Sequence, residues 1–165
     1  MSSDQQLEQN KREQPVSIIF KTLMTGFVGG ILWSSIGWLM NYFNFTVFSP
    51  ASFIIRSWLH AKWTSSWLAE IISVVIIGLI SLFVALVYYF ILRKARGLWP
   101  SIIFGLLLWG IVFYVLLPIF PNIKPVQQLN SDTIVTTICL YLLYGIFIGY
   151  SISYDYLDSI TKKNI

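Results

Sequence analysis

Four long apolar runs separated by short polar breaks dominate this chain. The first covers about residues 21–43, and its core, "TLMTGFVGGILWSSIGWLM", carries no charge. The second covers about 67–92 and contains "IISVVIIGLISLFVALVYYFIL". The third covers about 98–118 and the fourth about 133–154. A helix rises about 1.5 Å per residue, so about 20 apolar residues cross a hydrocarbon core of about 30 Å. The pattern predicts an all-α integral membrane protein with four transmembrane helices. A cleaved signal peptide is the rival reading of the first run. That run exceeds the usual apolar core of about 7–15 residues, and its end lacks a small-residue cleavage site.

The breaks predict how the spans connect. Residues 1–15, "MSSDQQLEQNKREQP", are polar, rich in Gln and without apolar periodicity, which predicts a disordered cytoplasmic tail. Only "RKARG" separates spans two and three, so these form a tight antiparallel hairpin. Pro100 is tolerated in a first helical turn, where its missing N–H has no intrahelical partner. Ser131 or Asp132 is placed to cap the fourth span, after a loop kept irregular by Pro118, Pro121 and Pro125. Between spans one and two, Ser49-Pro50 signals a helix start. Ile55, Trp58, Leu59, Lys62 and Trp63 then recur at helical spacing, with Arg56 and His60 on a neighbouring face. Residues 50–66 carry too many charges to cross a membrane. They predict an amphipathic helix on the outer interface, with Trp rings at headgroup depth and basic heads on water or lipid phosphate.

Charge sets the orientation. Four spans put both ends on one side, which receives Lys11, Arg12, Lys21, Arg93, Lys94, Arg96, Lys162 and Lys163. The other side receives Arg56, Lys62 and Lys124. Eight against three predicts cytoplasmic termini. Tyr88, Tyr89, Trp99, Tyr150, Tyr154 and Tyr156 then mark the inner boundary, and Trp38, Tyr42, Trp58, Trp63 and Trp67 the outer one.

Composition agrees with a lipid environment: 56% of residues are hydrophobic, 11% are charged, and mean hydropathy is +0.72. So small a soluble domain leaves too much of its surface wet to hide that fraction. The net charge of +4 sits in clusters at span ends rather than in a stripe, so nucleic acid is not an expected partner. A single cysteine, Cys139, rules out an intrachain disulfide.

Candidate chemistry is sparse. His60 is the only histidine, and the nearest acid in sequence is Glu70. Acid–base catalysis needs a partner within hydrogen-bond reach, and a metal needs several ligands. No phosphate loop, HExxH, paired CxxC or Ser/His/Asp set is present. The sequence therefore predicts no enzyme, no cofactor and no metal. Arg56, Trp58, His60, Lys62 and Trp63 are read as interfacial or lipid contacts, and Arg93, Lys94 and Arg96 as topology anchors that also suit anionic headgroups. Asp155 and Asp158 follow span four on the same side and are expected to pair with that basic loop. Asn44-Phe45-Thr46 matches a glycosylation pattern but abuts a span end. Glu70 lies about one turn inside the outer end and forms a possible polar site with Asn41; Lys62, Arg56 and Lys124 are its candidate partners.

Two small-residue seams stand out. Thr22, Gly26, Gly30 and Ser34 recur at intervals of four on span one, and Gly145, Gly149 and Ser153 on span four. Such spacing lines one helix face with small side chains, so another backbone can approach closely. At matched depth, helices one and four are expected to meet through these seams; homodimerisation is the rival use.

With these parts placed, the stretches "FSPASF" and "RKARGLWPSIIFGLLLW" and the overall pattern over roughly residues 15–160 resemble the YqhR family, small multi-pass membrane proteins of Bacillus-type Gram-positive bacteria. The resemblance implies a bacterial plasma-membrane location and transfers no site residues. The functional expectation is a non-enzymatic component that packs with itself or with another membrane protein, in contact with membrane lipid. The alternative is a small oligomeric transporter or permeation accessory using the Glu70 region.

Overall fold

A computed structural model describes residues 15–59, 62–95, 97–120 and 123–163. The polar tail, His60 and Arg96 lie outside the described residues, as do the side chains of Lys62 and Trp63. Among the described residues the fold is entirely helical. It comprises α1 (Pro15–Tyr42), α2 (Pro50–Ile54), α3 (Trp67–Leu92), α4 (Trp99–Gly110) and α5 (Ser131–Lys163). Helix α4 continues through a π-helical turn, Ile111–Leu116, and a 3-10 turn, Leu117–Ile119. Four segments are long and apolar enough to cross a membrane: Ile18–Tyr42, Trp67–Leu92, Trp99–Ile119 and Ser131–Thr161.

Local chemistry explains the ends. Helix α1 stops at Asn44, whose φ of 62° is left-handed. The Asn44 N–H donates to the Asn41 carbonyl and the Phe45 N–H to that of Met40. This is a Schellman closure, with Asn in the position that tolerates positive φ. Gly97, at φ 92°, makes the turn between α3 and α4 without a Cβ penalty. The cap of α5 is one residue earlier than expected: the Asn130 carbonyl accepts the first helical bond, from Ile134. With no Gly or Pro after Gly149, α5 also runs on through Lys163 instead of ending near Tyr154. Pro118 has no N–H and its ring crowds the carbonyl four residues back. The preceding turn widens, so that Leu117 donates to Val112 five residues behind it.

The helix expected over residues 50–66 is not continuous. Helix α2 has five residues, a run of turns follows, and Lys62–Ser65 form a 3-10 turn. The Arg56 N–H reaches back five residues to the Ala51 carbonyl, and the Ser57 hydroxyl donates to that of Ser52. Both bonds draw the backbone out of helical register.

The bundle is built as two pairs. Helix α3 packs along α1 and α4 along α5, and α1 and α5 join the pairs. The main core lies between α3, α4 and α5 around Ala85, Tyr88, Phe104, Tyr144, Ile148 and Ile152. A second cluster, Phe48, Phe113, Leu117 and Ile123, fastens the loop after α1 onto the far end of the α4 span. Tyr88 and Tyr89, expected in an aromatic belt, are core residues instead, with Tyr88 only 1% exposed.

Candidate functional site

The small-residue seams face different partners from those expected. A Cβ on Gly26 would meet Ala85 Cβ at 2.6 Å, and one on Gly30 would meet Ser81 Cβ at 2.5 Å, both on α3. On α5, a Cβ on Gly145 would meet the Gly105 backbone, and one on Gly149 would overlap Ser101, both on α4. The seams thus face α3 and α4 and not each other. Where α1 meets α5, Gly29 lies against Phe147 and Ile148. The sequence carried a readable signal for the missed halves: Gly78, Ser81 and Ala85 lie three and four residues apart, and Ser101 and Gly105 lie four apart.

Close approach brings hydroxyls into hydrogen-bond range. The Ser81 hydroxyl donates to the Gly26 carbonyl at 2.6 Å. Its single hydrogen is then committed, so Tyr144 donates to Ser81 Oγ. The Tyr88 hydroxyl sits 3.2 Å from Ser101 Oγ and 3.3 Å from Ser153 Oγ, tying α3, α4 and α5 together. The Ser34 hydroxyl turns back to its own helix, donating to the Gly30 carbonyl at 2.6 Å.

Glu70 stands in the first turn of α3 and is 5% exposed. Of its candidate cations among the described side chains, Arg56 is the partner: Nη2 lies 2.8 Å from Oε1. Glu70 Oε2 accepts the Ala51 N–H at the start of α2. Arg56 also donates through Nε to the Thr64 carbonyl and through Nη1 to Ser49 Oγ. The Arg56 head, expected on water or lipid phosphate, therefore turns inward and binds α2, the 3-10 turn and α3 together. Asn41 does not join Glu70; its Nδ2 donates to the Thr46 carbonyl. Trp58 remains outward at 65% exposure.

At the opposite end, the Arg93 guanidinium stacks 5.0 Å from the ring centres of both Tyr89 and Tyr156. Cation–π attraction explains this geometry. The expected pairing of Asp155 and Asp158 with the Arg93–Arg96 loop also involves Arg96, which lies outside the described residues. Lys94 is exposed.

Beneath the clamped loop the four spans line a half-open cavity of about 220 Å³. Thr46, Phe48, Ser49, Pro50 and Phe53 roof it. Gly37 and Trp33 of α1, Ile80 and Ser81 of α3, Phe113 of the π-helical turn and Tyr144 of α5 are among its walls. The widened turn before Pro118 sets Phe113 against Phe48 and Phe53, with ring centres 6.4 and 6.3 Å apart. Trp33 Nε1 and, on α3, Ser73 Oγ are buried without a hydrogen-bond partner among the described residues. Among those residues no group of three or more His, Cys, Asp or Glu stands close enough to hold a metal ion.

Four helices long and apolar enough to span, and an outer surface rich in exposed apolar side chains, define a multi-pass α-helical membrane protein. The family model for the conserved membrane protein YqhR matches residues 2–165. The uncharacterized protein YqhR of Bacillus subtilis (strain 168) is 42% identical over 168 residues, covering 99% of this chain and 94% of that protein. The chain belongs to the YqhR family. No solved structure matches it.

Proposed function

We propose that this chain is a non-enzymatic component of the bacterial plasma membrane, with both termini in the cytoplasm, that works by packing against another membrane protein. One observation carries the reading. Both recognised seams are occupied within the chain, whereas Gly110 meets no atom within 4 Å of a built Cβ. Around it, Ile103, Leu107, Ile111 and Tyr114 form an outward apolar groove on α4. A small residue in such a groove admits the close approach of a partner helix.

The test is gentle detergent extraction followed by mass and partner identification, with cysteines placed at Leu107 and Tyr114 in a Cys139→Ser background. A defined complex crosslinked through these positions, but not through a cysteine at Gly26, supports the reading. A lone chain without crosslinks overturns it. The rival permeation role for Glu70 and Asn41 draws no support from the geometry, because both side chains are engaged within the protein.

A further inference from the structure

We infer that the cavity under the clamped loop holds one hydrocarbon tail of a membrane phospholipid, admitted sideways between α3 and α4. The argument begins with the gap between these helices. Tyr88 on Phe104, with ring centres 5.0 Å apart, bridges them near the Arg93 end. Farther along, α3 and α4 pack on α1 and α5 instead of on each other. Ile80, near the middle of α3, lines the cavity and is also 50% exposed. A residue that faces both the cavity and the outer surface marks its mouth. At that depth in a bilayer the molecules outside the mouth are acyl chains.

Size admits a segment of a tail, and chemistry favours it. An apolar cavity of about 150 Å³ stays dry and accepts benzene; this one is about 220 Å³. Its hydroxyls at Ser34, Ser81 and Thr137 already donate to helix carbonyls. These hydroxyls offer little recognition to a polar guest, and although Trp33 Nε1 is without a partner among the described residues, the mainly apolar walls regain dispersion contacts from a featureless chain. The roof closes the Glu70 end, so passage is lateral.

The test reconstitutes the full chain in phosphatidylglycerol vesicles with mid-chain brominated tails. Extraction uses a steroidal detergent, which has no alkyl chain to compete, and native mass spectrometry counts retained lipid. In a parallel arm the delipidated chain is offered the brominated free fatty acid. Gly37 lines the cavity and has room for a side chain, its nearest neighbour being Leu140 Cδ1 at 3.9 Å. Gly37→Leu fills the space and Ile80→Trp blocks the mouth, so loss of fold in one leaves the other as the test. Val135→Phe adds bulk on an exposed face of α5 as the control.

The wild type and Val135→Phe are expected to retain one brominated phospholipid per chain, and the two cavity variants to lose at least about tenfold of that occupancy. No retained lipid, or equal retention in a folded Gly37→Leu or Ile80→Trp, overturns the inference. Retention of the free acid alone overturns the bilayer source. The count is made on the isolated chain, so its outcome is separate from that of the partner test.

Discussion

Arg56 gathers acceptors from three pieces of chain, and Glu70 takes its charge in a nearly dry setting. Removing one partner of such a pair leaves the other unmatched, which is costlier than removing both. Glu70→Gln is therefore expected to lower stability by about 1.5–3 kcal/mol, the range for hydrogen bonds to charged groups. Arg56→Gln is expected to cost a similar amount. Their double variant should fall short of the sum by about 1 kcal/mol or more, since contacting residues couple. Thermal unfolding in detergent reads all three; strictly additive losses would show that the contact does not hold the loop. The sequence indicated Arg56 as one of three candidate partners for Glu70. It did not indicate which, because Arg56 and Glu70 lie on separate elements and the choice depends on how the intervening chain folds.

The same competition explains what was misread at the level of elements. Residues 50–66 satisfy the spacing of an amphipathic helix, yet the tether from Arg56 to Glu70 prevails over that periodicity and, among the described residues, leaves Pro50–Ile54 α-helical and Lys62–Ser65 as a 3-10 turn. The small-residue spacing marked which faces of α1 and α5 are close-packed. It did not mark their partners, because spacing belongs to one helix while contact depends on two. Two glycines of α1 separate these ideas experimentally. Gly30→Ala drives a Cβ to 2.9 Å from the Gly78 Cα and should cost about 1–3 kcal/mol by overpacking. Gly37→Ala finds room and should stabilise by about 0.5–1 kcal/mol through helix propensity. Unfolding midpoints that move in the same direction for both would refute the assignment of the α1–α3 seam.

At the scale of the molecule, the four spans were legible because lipid imposes a length and an apolar composition on any crossing helix. Their grouping into two pairs was not, because lipid-facing and partner-facing positions are equally apolar. Orientation rests on charge. The described part of α5 alone, at 33 residues, is about 50 Å long against a core of about 30 Å. It therefore projects well beyond one face, and its polar end, Asp155 to Lys163, is on the side that the cation count predicts to be cytoplasmic. A fluorescent protein fused after Ile165 is then expected to fluoresce, and alkaline phosphatase fused there to remain inactive. Phosphatase inserted after Lys124, between α4 and α5, is expected to be active. The basic residues of "RKARG" lie between α3 and α4 in sequence, so replacing Arg93, Lys94 and Arg96 with Gln removes three of the eight cations counted on the side predicted to be cytoplasmic. That leaves five against three, and the loop fusion should then divide between active and inactive populations. An active phosphatase at the C-terminus of the unmodified chain would reverse the topology, and with it the assignment of the clamped loop to the outer face.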